Sequence, residues 1–485
     1  MISEITQLLG HEYAAKYMCI PIKQEGDHLW VAMEDPLCIK TITDLSDITG
    51  LYIVPIQADI ADIRRNIDQI YGEEAIHTIA SQFLVEEKLR QRPEAPDEAL
   101  LAELSAAPAV RLIDSLIESG VLNRASDIHI EPFGSQLRTR YRVDGELITF
   151  GVVDFSLLPN VISRLKIMGD LDIAEKRLPQ DGHFSMRVLG EQVEFRLSTL
   201  PTHLGEKAAI RLLYGQETRP KKNELGFFAE DLERLTGLFH QPHGAIFMTG
   251  PTGSGKSTTL TGFLEELNQV GRNIVTVEDP VENPLVGVNH VKVEPMARLN
   301  FESALRHILR QDPDIIMIGE IRDRETAKIA IQAAITGHVV LSTLHTNDAA
   351  GVIERLSDMG IEPYLAAAAL NGIISQRLVR RICLDCKVPA KLSTHEASWL
   401  KIDIDTPVYI GQGCNSCNNT GYKGRLAVYE YIIMDEKLRR LMSNHPARLS
   451  HHLRKTKGLR DNAAKNVQLG HTTAKEALRV LGGGI

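Results

Sequence analysis

The chain has 485 residues, more than one compact core accommodates, so several domains are expected. Its apolar fraction of 43% and charged fraction of 24% are those of a globular protein, and a net charge of −9 argues against a general nucleic-acid binder. No uninterrupted apolar run is long enough to span a bilayer, and Met1-Ile2-Ser3-Glu4-Ile5 lacks the basic start and apolar core of a signal peptide. A cytosolic protein is expected, with any membrane contact peripheral.

Residues 1–72 read as a small mixed segment. Residues 4–9 and 12–17 suit helices and 28–33 a strand. Residues 58–71 suit an amphipathic helix, because Ile60, Ile63, Ile67 and Ile70 recur every three or four positions. Nothing here carries chemistry. Cys19 and Cys38 read as small buried apolar residues, and a docking domain is the expected role. Residues 73–105, acidic and Pro/Ala-rich as in Arg92-Pro93-Glu94-Ala95-Pro96-Asp97-Glu98, read as a partly helical, mobile linker.

Residues 106–220 form a second α+β domain. A helix is expected at 110–121. Residues 126–132 alternate polar and apolar as a half-buried strand, and 136–143 and 146–149 are joined by the tight turn Asp144-Gly145. A helix follows at 161–168, then strands at 193–198 and 207–214. Arg138, Arg140, Arg142, Arg164, Lys166, Arg196 and Arg211 concentrate here. Arg196 and Arg211 stand in otherwise apolar strands, which suggests that they point into a site or an interface.

Residues 221–485 begin with a motor. An apolar strand at 245–249 leads into Gly250-Pro251-Thr252-Gly253-Ser254-Gly255-Lys256-Ser257-Thr258, and a helix follows from 257 to 270. Strand, glycine loop and helix are the context a phosphate-binding loop requires. Its backbone N–H groups turn toward a phosphate, Lys256 reaches the β- and γ-phosphates, and Ser257 ligates Mg²⁺. The strand at 273–277 ends in Glu278-Asp279-Pro280-Val281-Glu282, and the strand at 314–320 ends in the carboxylate of Glu320. Carboxylates at the tips of parallel strands sit at the ligand edge of an open α/β sheet. Helices are expected at 301–309 and 321–334. The strand at 339–343 is bracketed by His338 and His345, which are candidates for phosphate contact or acid catalysis.

Cys383-Leu384-Asp385-Cys386 and Cys414-Asn415-Ser416-Cys417 are two Cys-x-x-Cys knuckles, and together they make a tetrahedral zinc site. The tail from Tyr429 reads as helical and charged, ending in a mobile Gly482-Gly483-Gly484.

These motifs together resemble the secretion ATPases that power type II secretion and type IV pilus assembly. The resemblance covers roughly residues 106–480. It rests on Ser126-Asp127-Ile128-His129-Ile130-Glu131, Tyr141-Arg142-Val143-Asp144-Gly145, residues 174–182, Ser198-Thr199-Leu200-Pro201-Thr202, the phosphate loop, the acidic box 278–282, residues 309–314, Gly319-Glu320-Ile321-Arg322-Asp323, and residues 336–348. The four cysteines match the zinc insertion of the secretion and pilus-extension members. The family implies a RecA-like P-loop domain behind a PAS-like α+β domain, and a hexamer on the inner face of the cytoplasmic membrane. It also implies contact with an inner-membrane platform protein and a membrane-recruiting protein, and no nucleic acid. ATP, Mg²⁺ and Zn²⁺ are the implied ligands. Glu282 would polarise the attacking water with Glu278 beside it, Glu320 would orient Mg²⁺ or water, and His338 and His345 would sense the γ-phosphate. Arg196 and Arg211 would reach nucleotide on a neighbouring subunit, with Arg306, Arg310 and Arg322 as weaker candidates for that region. Two departures stand out. Residues 1–72 do not match the cyclic-dinucleotide region of some members, and His183 stands where Arg is expected after Gln180-Asp181-Gly182. A nucleic-acid translocase on a RecA-like core is the alternative reading.

Overall fold

The structure is a computed structural model that describes residues 8–60, 62–67, 70–71, 98–213, 220–294, 299–454 and 458–482. Most of the expected linker (73–97), residues 4–7 and Gly483-Gly484 lie outside the described residues. The chain divides into two compact units, Met1–Gly215 and Gln216–Ile485.

The first unit opens with a three-stranded sheet, in which β1 (Cys19–Glu25) runs antiparallel to β2 (His28–Met33) and β3 (Tyr52–Gln57) runs parallel to β2. A helix, Ile39–Thr49, makes the crossover between the parallel pair. Leu29, Val31 and Met33 of β2 pack with Leu45, Ile63 and Cys19 in one small core. The helices at 11–17 and 60–71, where described, and the strand at 28–33 lie where the sequence pattern put them. β1, β3 and the helix between β2 and β3 do not show in that pattern. Pro21 and Pro55 interrupt the two strands, and each strand is polar at its exposed end.

A six-stranded antiparallel sheet follows, in the order β6-β5-β4-β9-β8-β7. Its strands are β4 (Asp127–Phe133), β5 (Gln136–Val143), β6 (Glu146–Asp154), β7 (Gln180–Val188), β8 (Glu191–Thr202) and β9 (Gly205–Leu213). Period-two alternation sends Ile128, Ile130, Tyr141, Phe195, Leu197 and Ile210 to one face. There they share a core with Leu112, Leu116, Val161 and Leu165 of the helices Glu98–Leu122 and Leu158–Met168. The turn between β5 and β6 has positive φ at both Asp144 (49°) and Gly145 (89°), as the sequence pair demands. The long helix starts at 98, inside the segment read as linker, and β7 lies where no strand was expected. The other face of this sheet is charged, which accounts for the arginines in apolar strands: they occupy the alternate, outward positions.

The second unit is built on a seven-stranded sheet in the order β12-β11-β13-β14-β10-β15-β18. Its members are β10 (Gly244–Thr249), β11 (Ile274–Glu278), β12 (Asn289–Lys292), β13 (Ile315–Ile318), β14 (Val339–Leu344), β15 (Leu370–Ile382) and β18 (Tyr422–Ile433); β16 (Lys387–Ala390) and β17 (Val408–Gly411) form a separate antiparallel pair between the last two in the chain. The neighbouring pairs from β12 to β15 are parallel, and β18 is antiparallel to β15. Every residue of β10, β11, β13 and β14 is buried, so these strands are mostly apolar and do not alternate. Phe247, Val277, Ile318 and Val340 fill the layer on one face, and Ile246, Met248, Met317 and Leu341 fill the other. Each such side chain contributes about 1.5–3 kcal/mol on burial. A parallel sheet with both faces covered places all its strand tips, and hence its loops, at one edge.

Candidate functional site

That edge carries the glycine loop. Residues 250–255 leave the tip of β10 and enter the helix Lys256–Leu267. Glycine is required at two points. A Cβ on Gly250 would lie 2.4 Å from the Gln376 carbonyl oxygen and 2.6 Å from Ser254 Oγ, and Gly255 caps the helix at φ 82°. The buried Gln376 of β15 holds the loop from behind. Its Nε2 donates to the Ser254 carbonyl at 2.8 Å, and its Oε1 accepts from Thr259 Oγ1 at 3.0 Å. Lys256 Nζ donates to the carbonyls of Gly250 (2.8 Å) and Pro251 (3.1 Å), folding back on its own loop. Burial, then the Arg377 guanidinium, push the Lys256 pKa down, and Glu320 opposes them. Among the described residues nothing hydrogen-bonds the buried Ser254 Oγ. A cation held against carbonyls and an orphaned hydroxyl in a glycine cradle fit a phosphate, which would satisfy both.

The acidic groups converge on the same edge. Glu278 ends β11, nearly buried, and its Oε1 accepts from Thr276 Oγ1 at 2.7 Å and from His290 Nδ1 at 2.9 Å. Glu282 is exposed in the loop that follows. Glu320 follows β13, paired with Arg322 and 3.5 Å from His345 Nε2, which follows β14. Thr343 Oγ1 donates to the Gly319 carbonyl and Ser342 Oγ to that of Ile318, fixing the exit of β13 against β14. Thr249 Oγ1 donates to the Thr346 carbonyl at 2.9 Å, tying the tip of β10 to the loop that carries His345.

His338 is not part of this gathering. β10 and β14 pair in parallel from Gly244↔Val339 to Thr249↔Leu344, so His338 sits at the opposite edge of the sheet, a six-residue strand or roughly 20 Å from the loop. Its Nδ1 faces the Ala333 carbonyl at 3.0 Å, and its own carbonyl accepts from the Gly244 N–H. Flanking one strand put the two histidines at its two ends, and only the C-terminal end carries ligand loops. Arg306 is taken up by Glu302 on its own helix, and Arg310 is exposed.

In the first unit, the strand register lines up Arg142, Asp127, Arg211, Arg196 and His183 across β5, β4, β9, β8 and β7. Arg211 Nε donates to Asp127 Oδ1 at 3.1 Å, and Arg142 lies 3.7 Å from Oδ2 of the same carboxylate. Among the described residues the Arg196 side chain makes no ion pair. Lys166, in contrast, is buried against Glu206 at 2.6 Å and is not part of an exposed basic face.

The cysteine knuckles close on each other because β15 and β18 pair along their length. Cys383 and Cys386 follow the end of one strand, and Cys414 and Cys417 precede the start of the other. All four sulfurs lie within 4.8 Å of one another. The Cys383–Cys414, Cys386–Cys417 and Cys414–Cys417 separations are 3.8, 3.9 and 3.7 Å. A tetrahedron with arms of about 2.3 Å has edges of about 3.8 Å, so the spacing is that of a thiolate-bound metal and far from a disulfide. Backbone N–H groups of Gly413, Cys414 and Gly421 point at the sulfurs of Cys386 and Cys417. Burial pushes the Cys383 thiol up to about 12, a cost that a bound cation would offset.

Three residues at the nucleotide edge do not show in the sequence pattern: Gln376, Arg377 and His290. Gln376 and Arg377 lie in a strand of mixed polarity, where nothing local marks them out, and the partner of Gln376 lies 122 residues away, at Ser254. Arg377 donates Nη2 to the Asn347 carbonyl at 2.7 Å, in the loop after β14. His290 lies on a four-residue strand too short for periodicity to reveal.

Comparison with known proteins agrees with this geometry. The family described as "Type II/IV secretion system protein" matches residues 102–479, and an MshEN domain matches residues 2–77. The type IV pilus assembly ATPase PilB of Myxococcus xanthus is 42% identical over 453 residues, 91% of this chain and 79% of that one. The type II secretion system protein E of Pseudomonas aeruginosa is 45% identical over 396 residues, 80% of this chain and 78% of that one. Among solved structures, the pilus retraction motor PilT with bound ADP superposes with a TM-score of 0.52 at 27% identity, over 76% of this chain and 96% of that one.

Proposed function

This chain belongs to the type II/IV secretion system protein family and is an ATPase, and from that premise we infer that it hydrolyses ATP to drive assembly of a pilin or pseudopilin fibre. The observation that carries the reading is the meeting of the glycine loop, Glu278, Glu320 and His345 at one edge of a covered parallel sheet. Lys256 and the loop amides hold the phosphates, and Lys256 exchanges its carbonyl partners for phosphate oxygens. A divalent ion at Ser257 and Glu320 supplies charge neutralisation when bound. Glu282, exposed beside Glu278, orients and deprotonates the attacking water, and His345 contacts the terminal phosphate. His338 has no part in this, for the reason of its position.

In this reading the three domains, at 1–72, 106–220 and 221–485, with the linker at 73–105, act in a homo-hexamer at the inner membrane face. Arg196 and Arg211 serve nucleotide bound to the neighbouring subunit, residues 1–72 dock on a membrane-recruiting partner, and the fibre side meets an inner-membrane platform protein. Zinc occupies the 383–417 insertion. Nucleotide binding favours one arrangement of the two larger domains, and its loss releases them.

Phosphate release by the full chain tests the reading. Lys256→Ala removes the cation that meets the phosphates and Glu282→Ala the base, so each lowers turnover to background. Wild-type turnover in either variant refutes its assignment.

A further inference from the structure

Among the described residues, His290 is the one titratable side chain hydrogen-bonded to Glu278, and its two ring nitrogens have different partners. The parallel register of β11 and β12 sets Thr276 beside His290 and Glu278 beside Lys292. Thr276 and Glu278, two residues apart on one strand, share a face, and His290 joins them on it. The Leu285 N–H donates to His290 Nε2 at 2.9 Å, so that nitrogen carries no proton and the neutral ring holds its proton on Nδ1. Nδ1 lies 2.9 Å from both Glu278 Oε1 and Thr276 Oγ1. Thr276 donates its own hydroxyl proton to the same Oε1, so the Nδ1–H is directed at the carboxylate as well. Among the described residues nothing hydrogen-bonds Glu278 Oε2. One oxygen is anchored by two donors and the other is left for chemistry.

We propose that His290 is a positioning residue for ATP hydrolysis: Leu285 fixes its tautomer, and Nδ1–H fixes the rotamer of the Glu278 carboxylate at the nucleotide edge. Leu285 belongs to the same loop as Glu282, three residues on, so the bond that sets the tautomer also ties the ring to the segment bearing the proposed base. This inference rests on the reading of 278–282 as the hydrolytic edge. The pattern of effects follows from it. Nucleotide is held by residues 250–257, which His290 does not touch, so the loss of His290 acts on kcat and spares KM.

The test is steady-state hydrolysis by the full chain. His290→Ala lowers kcat by about tenfold or more, with KM for ATP within about twofold. Asparagine places an amide donor near the position of Nδ1, so His290→Asn recovers most of that loss. Glutamine reaches the Leu285 N–H but offers no donor where Nδ1 stood, so His290→Gln stays near His290→Ala. In a Glu278→Gln background His290→Ala adds no further loss. A flat series, a glutamine variant as active as or more active than the asparagine variant, or multiplicative effects with Glu278→Gln overturns the proposal. Should His290→Ala lose ATP binding through misfolding, the asparagine–glutamine comparison decides. An inactive Glu278→Gln beside a flat His290 series defeats this inference alone; a fully active Glu278→Gln defeats the role of Glu278 and this inference with it.

Discussion

Replacing Gln376 by leucine separates the shape of the glycine loop from its chemistry. Leucine fills nearly the same volume, so no large cavity forms, but both amide bonds vanish. The Ser254 carbonyl and Thr259 Oγ1 lose donor and acceptor in a region where Ser254, Thr259 and Gln376 are all at most 3% exposed. Thr259 can turn its hydroxyl to the carbonyl one helical turn back, at Gly255, which leaves the Ser254 carbonyl as the uncompensated group. A buried unpaired group costs about 1–3 kcal/mol. The cost is largest in the loop geometry that holds nucleotide, and at about 1.4 kcal/mol per decade it weakens ATP binding by roughly 5- to 150-fold. Titration with a fluorescent ATP analogue measures the loss, and a thermal melt checks that the fold persists. Adding Thr259→Val spares the second orphan and leaves the affinity no worse. Binding of the single variant within twofold of wild type, with an unchanged melt, refutes the claim that β15 holds the loop in shape.

If the four cysteines hold zinc, elemental analysis of the purified protein is expected to find about one zinc per chain, and Cys386→Ser or a strong chelator to remove it. The chelated protein becomes protease-sensitive across 383–421 while its ATP affinity stays within about twofold. Glu476 is wholly buried. Burial raises its pKa, but hydrogen bonds from Arg479 and Arg380 outweigh that and hold it at about 2. Because the folded pKa lies below the unfolded one, the stabilisation is complete above about pH 4.3 and is lost as pH falls toward 2. The melting-point gap between wild type and Glu476→Gln is therefore constant from pH 8 to pH 5 and shrinks below pH 4. Arg196→Ala subunits mixed with Lys256→Ala subunits recover hydrolysis if Arg196 acts on a neighbour's nucleotide; well-mixed rings without recovery refute action in trans.

The motor strands were legible because a parallel sheet covered on both faces leaves little choice of residue. β10, β11, β13 and β14 are runs of four to six buried residues, and each begins and ends within two residues of the expected position, β13 stopping at Ile318 rather than Glu320. The phosphate loop and the carboxylates at the strand tips follow from chain direction alone. Chain direction also corrects the histidine pair, since two ends of one strand are two edges of the sheet. What local pattern cannot supply is lateral order. β12 carries His290, yet its neighbour β11 lies a loop away, and β15 holds Gln376 beside a strand that precedes it by over a hundred residues. The same limit applies to Arg196 and Arg211. Their standing in apolar strands marked them out, but their place in one row with Asp127 needed the register of three strands, β8, β9 and β4.

β15 joins the two chemical centres of the second unit and also separates them. Gln376 braces the glycine loop from the middle of the strand, and Cys383 follows its C-terminal end, a span of roughly 23 Å of extended chain. Between them β15 pairs with β18 through Gln376↔Tyr429, Val379↔Leu426 and Arg380↔Arg425. Val379 and Val428 are fully buried there, and Arg380 is held by Glu476. Unzipping from the cysteine end toward Gln376 would expose that apolar surface and break the buried carboxylate's ion pairs before it reached the loop. The cysteine cluster therefore fixes the far end of the strand pair without governing nucleotide affinity, and the glycine loop depends on the middle of β15.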